Sequence, residues 1–319
     1  MRYKNLGKTD VKISEITSGT WGMAEGPWGE FDKAACISAM NIMADLGVNS
    51  IDTAPVYGDG VSEETVGEFL KGKQRDKFIV YTKCGINIEV PRGGNRRGAK
   101  RDDVIKGCEG SLKRLGTDYI DVLFVHWPDP ETPLEETMGG LNFLKEQGKI
   151  RFIGLSNHGI PLLEEAMKYG SVDMIQPPFS MVDQSAKDIM VWAHGKGTGS
   201  VTYGSIGAGI LTGKIRTLPE LGERDIRGSF YGSHYKEPGF SKVMELMKSI
   251  DKISEARGVP QSQVAINWVA QKEYVLTALI GVRKDSHARE NCAAMDWSLN
   301  QDEMKILDAE VGRLFGTAS

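Results

Sequence analysis

Cysteine is scarce in this chain. Cys36, Cys84, Cys108 and Cys292 are scattered over 319 positions and form no CxxC pair. That spacing offers no cysteine metal site, and four thiols are few for a disulfide scaffold of this length. No apolar run is long enough to span a bilayer, and the opening MRYKNLGKTD lacks the apolar stretch of a secretory signal. The expectation is a soluble, cytoplasmic protein with no membrane partner. Excess positive charge is lacking too: the formal net charge is −4, which leaves no electrostatic footprint for nucleic acid. Internal repeats, low-complexity tracts and domain-splitting linkers are absent. So is a GxGxxG turn after a strand; GSIGAG at 204–209 has the wrong spacing for one.

What the chain does have is alternation. Its composition, 40% hydrophobic and 26% charged, is that of a globular protein. Eight short β-rich runs stand out: 14–19, 49–52, 77–83, 119–126, 150–156, 172–176, 199–203 and 276–281. Helical patterns lie between them. Residues 33–47 carry helically spaced apolar side chains and end at a glycine. SEETVGEFLKG opens with Ser62 and two acids, which suits a helix N-terminus. Thr132, Pro133 and Glu135 read as N-cap, first helical residue and capping-box acid, and Asn300 with Glu303 repeats that device. Alternation on this scale implies a closed (β/α)8 barrel or a long doubly wound sheet. The barrel is expected over residues 1–319 as a single domain. RYKNLGKTDVKI reads as an N-terminal β-hairpin at the barrel floor, and residues 213–240 as a long functional loop after the seventh strand.

In a barrel the C-terminal ends of the strands converge on one mouth. Here six consecutive candidate strands end in chemically capable groups: Asp52, Lys83, His126, Ser156 with Asn157, Gln176 and Tyr203. Tyr57 follows Asp52 in IDTAPVYG. Singly, each has an ordinary reading as a turn acid, a loop aromatic, a solvated lysine or a core histidine. Together they describe proton transfer. A free tyrosine has a pKa of about 10, and a neighbouring ammonium is expected to lower it. Lys83 would supply that charge, Asp52 would hold it, and His126 would orient a carbonyl oxygen. Tyr57 would then act as general acid, or as base in reverse.

The segments IDTAPVYGDGVSEETVGEFL, YTKCG, SLKRLGTDYIDVLFVHWPDPETP, GKIRFIGLSNH, MIQPPFS, YGSIGAGILTGK and ARENC resemble the aldo-keto reductase family. The resemblance runs from about residue 1 to residue 312, and it is fullest to a bacterial branch with an HxPD motif at the end of strand 4. It implies a (β/α)8 TIM barrel and nicotinamide-dependent carbonyl reduction without a metal. Tyr57 matches the family's proton donor, Asp52 and Lys83 its tuning pair, and His126 its substrate-orienting histidine. Ser156, Asn157 and Gln176 match the residues that hydrogen-bond the nicotinamide carboxamide, and Tyr203 the aromatic that stacks on its ring. Thr20, Trp21 and Gly204 fall within the implied cofactor site. Ile206 and Ala208 lie where the family contacts the pyrophosphate, and Glu290 and Asn291 where it holds the adenine.

Arg283, Lys284 and Arg289 cluster at the implied adenosine end and favour NADPH, with NADH possible. Two positions that carry lysine and arginine in many family members read Gly281 and His287 here. Trp21, Trp28, Trp127 and Phe179 are expected around a small-molecule carbonyl or polyol substrate. The basic stretch PRGGNRRGAKR at 91–101 reads as a solvated loop near the mouth that could attract an anion. Three other readings are open: a sugar or polyol dehydrogenase running oxidatively, a redox-sensing subunit that binds cofactor with slow turnover, and a lysine Schiff-base enzyme using Lys83.

Overall fold

A computed structural model describes residues 1–25, 28–223 and 225–316. Residue 224 of the expected loop and residues 317–319 of the expected domain lie outside the described residues. Among the described residues ten strands form: β1 Tyr3–Asn5, β2 Lys12–Ser14, β3 Ile16–Gly19, β4 Ser50–Asp52, β5 Ile79–Cys84, β6 Ile120–Val125, β7 Ile150–Ser156, β8 Met174–Gln176, β9 Gly199–Thr202 and β10 Thr277–Gly281. The last eight are parallel and close into a barrel in the order β10-β3-β4-β5-β6-β7-β8-β9. The closed alternative of the two sequence expectations is therefore the one adopted.

Helices α1 Lys33–Asp45, α2 Val61–Leu70, α3 Arg101–Leu115, α4 Leu134–Glu146, α5 Ile160–Ala166 and α6 Lys187–Lys196 each return the chain between adjacent barrel strands. The β9–β10 connection is longer and carries α7 Ile226–Ser229, α8 Gly239–Arg257 and α9 Gln261–Ala270. After β10 come α10 Asp285–Cys292 and α11 Gln301–Phe315. Among the described residues no helix is long and apolar enough to cross a membrane.

Strand residues alternate between two cores. Outward side chains such as Val80, Leu123, Val125, Ile153 and Leu155 pack under the helices. Inward ones, among them Ile79, Tyr81, Val122, Phe124, Met174 and Val201, fill the barrel with Leu6 and Ile13 of the N-terminal hairpin. The barrel is therefore a filled cylinder closed at its floor, and only its C-terminal mouth is available for a site. Gly154 shows how tight the filling is: a Cβ there would meet the Phe124 ring at 2.3 Å.

Two cap expectations came out differently. Asn300 and Glu303 form a reciprocal capping box on α11. Thr132 does not cap α4. Its hydroxyl donates to Asp129 Oδ2 at 2.7 Å, and the helix starts at Leu134 after Pro133 with no side-chain cap. That bond holds the side chain to the preceding loop, and Pro133, not Thr132, stands at the cap position. Ser62 likewise sits within the first turn of α2 after Gly60, and its hydroxyl donates to Thr20 Oγ1 at 2.7 Å.

Leu6 is 2% exposed in the floor of the barrel. Leu6→Ala is expected to lower the free energy of unfolding by about 2–5 kcal/mol. Urea denaturation checks this, and a loss under about 1 kcal/mol would show that the hairpin does not plug the barrel.

Candidate active site

The mouth is organised around Asp52. It ends β4 and is buried, and its two oxygens have different partners. Lys83 Nζ donates to Oδ1 at 2.8 Å, and Gln176 Nε2 donates to Oδ2 at 2.7 Å. Lys83 is 1% exposed and also donates to the Thr53 carbonyl at 2.9 Å. Burial pushes its ammonium toward losing a proton, while Asp52 and then Glu63 oppose that. A buried pair of this kind persists only when further hydrogen bonds satisfy both ions, and here Gln176 and Thr53 do so.

The chain then turns sharply through Ala54–Gly60, and Tyr57 N–H donates to the Ala54 carbonyl at 3.1 Å. Gly58 has φ +66, and a Cβ there would strike Ala24 Cβ at 2.3 Å, so the turn requires glycine. The turn brings the Tyr57 ring over Lys83, whose Nζ lies 4.9 Å from the ring centroid. Burial, reinforced by the Asp52 charge, holds the Tyr57 phenol well above its ordinary pKa. This corrects the expectation that Lys83 lowers it. The ammonium faces the ring and its hydrogen bonds go to Asp52 and Thr53, so burial outweighs its pull on the phenol's pKa while the ring is still seated on it.

His126 follows β6, its ring 6.0 Å from that of Tyr57 in an edge-to-face arrangement. Burial and then the Lys83 charge hold its imidazole well below the usual range, so it is neutral. Beyond it a chain of hydrogen bonds crosses the mouth. Asn157, in the left-handed region at φ 62, donates from Nδ2 to the His126 carbonyl at 3.0 Å. The Tyr203 hydroxyl donates to Asn157 Oδ1 at 2.9 Å, and the Ser156 hydroxyl to the Gln176 carbonyl at 2.9 Å.

One cavity of about 620 Å³ opens over these groups. Its lining includes Thr20, Trp21, Trp28, Asp52, Tyr57, His126, Trp127, Ser156, Asn157, Gln176 and Tyr203. It continues past Gly204, Ile206 and Ala208 to Gly281, Arg283, His287, Glu290 and Asn291. Lys83 lies beneath the floor. Arg289 is exposed on α10 and does not line the cavity, and neither does Lys284, the residue before α10. Phe179 is excluded as well, because it stacks on Trp268 in the outer core at 5.5 Å. Arg283 donates to the carbonyls of Trp28 and Glu30 and so ties the β3–α1 loop across the mouth.

Sequence reasoning missed Val56, Ile86, Lys214, Phe230, Tyr231 and Leu279, all of which line the cavity. Phe230 and Tyr231 sit on the long segment after β9 and pack edge-to-face at 5.1 Å. Phe230 also meets Trp21 at 5.7 Å. Their signal was two adjacent aromatics in a polar, glycine-rich stretch.

The residues present fit an extended dinucleotide. Gly204, Gly207, Ala208 and Gly209 all have positive φ, a curl that can turn backbone N–H groups toward phosphate. At Gly209, the end of that curl, and at Gly281, the end of β10, an added Cβ would meet nothing within 4 Å, so the lining leaves open space at both places.

A family model for the Aldo/keto reductase family matches residues 15–311. The chain belongs to the aldo/keto reductase family. Aldo-keto reductase YhdN of Bacillus subtilis (strain 168) is 33% identical, covering 97% of this chain and 93% of that protein. The NADH-specific methylglyoxal reductase of Escherichia coli (strain K12) is 31% identical, covering 96% and 97%. Among solved structures, the glycerol dehydrogenase AKR11B4 from Gluconobacter oxydans superposes with a TM-score of 0.89 at 31% identity, covering 99% of this chain and 97% of that one. Family membership makes this protein an oxidoreductase that uses a nicotinamide cofactor.

The buried imidazoles make a pH prediction. His158, whose Nδ1 lies 2.7 Å from the Ser156 carbonyl, has its pKa lowered to about 4 by burial. His126 is also lowered. Between about pH 6.5 and 4 the unfolded chain binds protons that the folded chain refuses, so stability present above that window is lost as pH falls through it. Ring ¹⁵N shifts should show His126 neutral at about pH 6. A ring already half protonated at about pH 6.5 would contradict this.

Proposed function

We propose that this protein reduces an aldehyde, ketone or sugar-like carbonyl to the alcohol, with Tyr57 as general acid. The observation that carries the reading is the convergence of Tyr57 and His126 at one end of the cavity, above the Lys83–Asp52 pair. A phenol held above its ordinary pKa keeps its proton until a stronger base forms beside it, and the oxygen of a carbonyl being reduced becomes such a base. Neutral His126 can donate a hydrogen bond to that oxygen without competing for the proton. Trp21, Trp28 and Trp127 wall the substrate and limit water.

A bound reduced nicotinamide cofactor supplies the hydride for the carbonyl carbon. The Tyr203 ring offers a stacking face, and Ser156, Asn157 and Gln176 offer polar groups for the carboxamide. Gln176 Nε2 is held by Asp52, which leaves its amide oxygen as acceptor. Thr20 and Gly204 shape the nicotinamide end. Ile206 and Ala208 present backbone to the diphosphate, and Gly281, His287, Glu290 and Asn291 frame the adenosine end. Arg283 and Lys214, both in the lining, suit a 2′-phosphate, so NADPH is the proposed cofactor, with NADH the alternative. The protein is proposed to act in the cytoplasm as a single (β/α)8 domain over residues 1–319. The oxidative direction is the second reading, supported by the likeness to a glycerol dehydrogenase.

Tyr57→Phe should lower kcat/KM for carbonyl reduction by about 10²–10⁴-fold. Quenching of tryptophan emission should show cofactor affinity changed less than about threefold, with NADPH bound more tightly than NADH by native and variant alike. Retention of most of the rate would remove Tyr57 from the reaction, and tighter NADH binding would reverse the cofactor assignment.

A further inference from the structure

The arginine- and glycine-rich stretch after β5 reads as solvated loop, yet it is tied down along its length. Ile86 and Arg97 face each other across an antiparallel bridge. Asn87 N–H donates to the Arg96 carbonyl at 2.7 Å, and Gly98 N–H to the Gly85 carbonyl at 3.3 Å. Arg96 Nε returns a bond to the Asn87 carbonyl at 3.0 Å, and Ala99 N–H donates to Asp129 Oδ2 at 3.1 Å. The stretch is a hairpin growing from the end of β5, and its Ile86 lines the cavity.

Its charges are not balanced. Arg92 and Arg96 share one carboxylate, Asp59, at 2.9 and 2.7 Å. Asp59 lies two residues after Tyr57, so this pairing fastens the hairpin to the loop that carries the phenol. Arg97 has no carboxylate hydrogen bond. It donates to the Pro128 carbonyl, and its exposed guanidinium lies 5.8 Å from the Trp127 ring centroid. Asp129 feels this charge, but its oxygens already accept from Ala99, Glu131 and Thr132. Trp127 in turn stacks on His126 at 6.4 Å. Two short steps therefore lead from the carbonyl-orienting end of the cavity to a guanidinium with free N–H groups. The described lining includes only two carboxylates, Asp52 and Glu290. Asp52 is neutralised by Lys83, and Glu290 lies at the far end. In a chain of net charge −4, this rim is locally positive.

We propose that Arg97 determines specificity for carbonyl substrates that carry an anionic group, a phosphate or a carboxylate, a few bonds beyond the carbonyl. Its planar fork suits either anion, and the positive rim concentrates such substrates at the mouth. The inference rests on the carbonyl-reductase reading and names its substrate class.

The test compares two pairs of aldehydes under saturating cofactor: glyceraldehyde 3-phosphate with glyceraldehyde, and succinic semialdehyde with butanal. In the native protein kcat/KM should favour the anionic member of at least one pair by about tenfold or more, and the pair with the larger ratio identifies the anion. Arg97→Gln should bring that ratio to within about threefold of unity, and Arg97→Lys should keep part of it. Ratios near unity in both native pairs, or a ratio unchanged in Arg97→Gln, would overturn the proposal. Equilibrium binding of glycerol 3-phosphate against glycerol, and of 4-hydroxybutyrate against butan-1-ol, with oxidised cofactor present, reads the same preference without turnover. Preference in binding without any aldehyde reduction would refute the reductase reading and keep the anion site. Equal binding within both pairs would refute the anion site.

Discussion

Everything at the mouth of this barrel depends on a buried ion pair. Asp52 and Lys83 lie 2.8 Å apart and are almost fully removed from water. Neither ion is tolerable alone at that depth: breaking such a pair by removing one partner costs about 3–5 kcal/mol. The pair survives because the barrel supplies the remaining bonds. Gln176, 124 positions along the chain, occupies the second oxygen of Asp52, and the Thr53 carbonyl takes a second N–H of Lys83. Three strands, β4, β5 and β8, are thereby held in one arrangement, and the groups above them inherit it.

From that pair the chemistry follows in steps. The Lys83 charge lies under the Tyr57 ring, and after burial it is the second influence that disfavours protonation of His126. A neutral imidazole and a protonated phenol are the combination that can meet a carbonyl oxygen and then protonate it. Burial and the Asp52 charge keep the Tyr57 phenol protonated. Around them the cavity is walled by aromatics from three separate connections: Trp21 and Trp28 after β3, Trp127 after β6, and Phe230 and Tyr231 after β9. Loop segments supply the walls and strand ends supply the proton-handling groups, which separates specificity from chemistry in the way barrels allow.

Much of this was legible before any coordinates. Apolar runs that end in a polar group mark the C-terminal ends of barrel strands, and Asp52, Lys83, His126, Ser156, Gln176 and Tyr203 stood out for that reason. The Asn300–Glu303 box was legible because it is local. What escaped depends on distance or competition. No spacing rule connects Gln176 with Asp52. The direction of the Tyr57 shift depends on burial and then on the Asp52 charge. Thr132 was claimed by Asp129 instead of the helix. Phe179, expected at the substrate, follows a strand yet faces the outer core, while Phe230, in an irregular segment where no single residue stood out, lines the cavity. The ordered hairpin at 86–97 was hidden by a composition typical of loops.

The central claim is that Tyr57 and the Lys83–Asp52 pair act as one unit. A double-mutant cycle on the single-turnover rate of carbonyl reduction tests it most directly, using Tyr57→Phe, Lys83→Met and the combined variant, each checked for folding by near-ultraviolet circular dichroism. Groups that work as a unit give strongly non-additive losses. The account predicts that the combined variant is no slower than Tyr57→Phe alone, within about threefold. Losses that multiply would contradict it, because they would mean that Lys83 contributes to the reaction by a route that does not pass through the phenol.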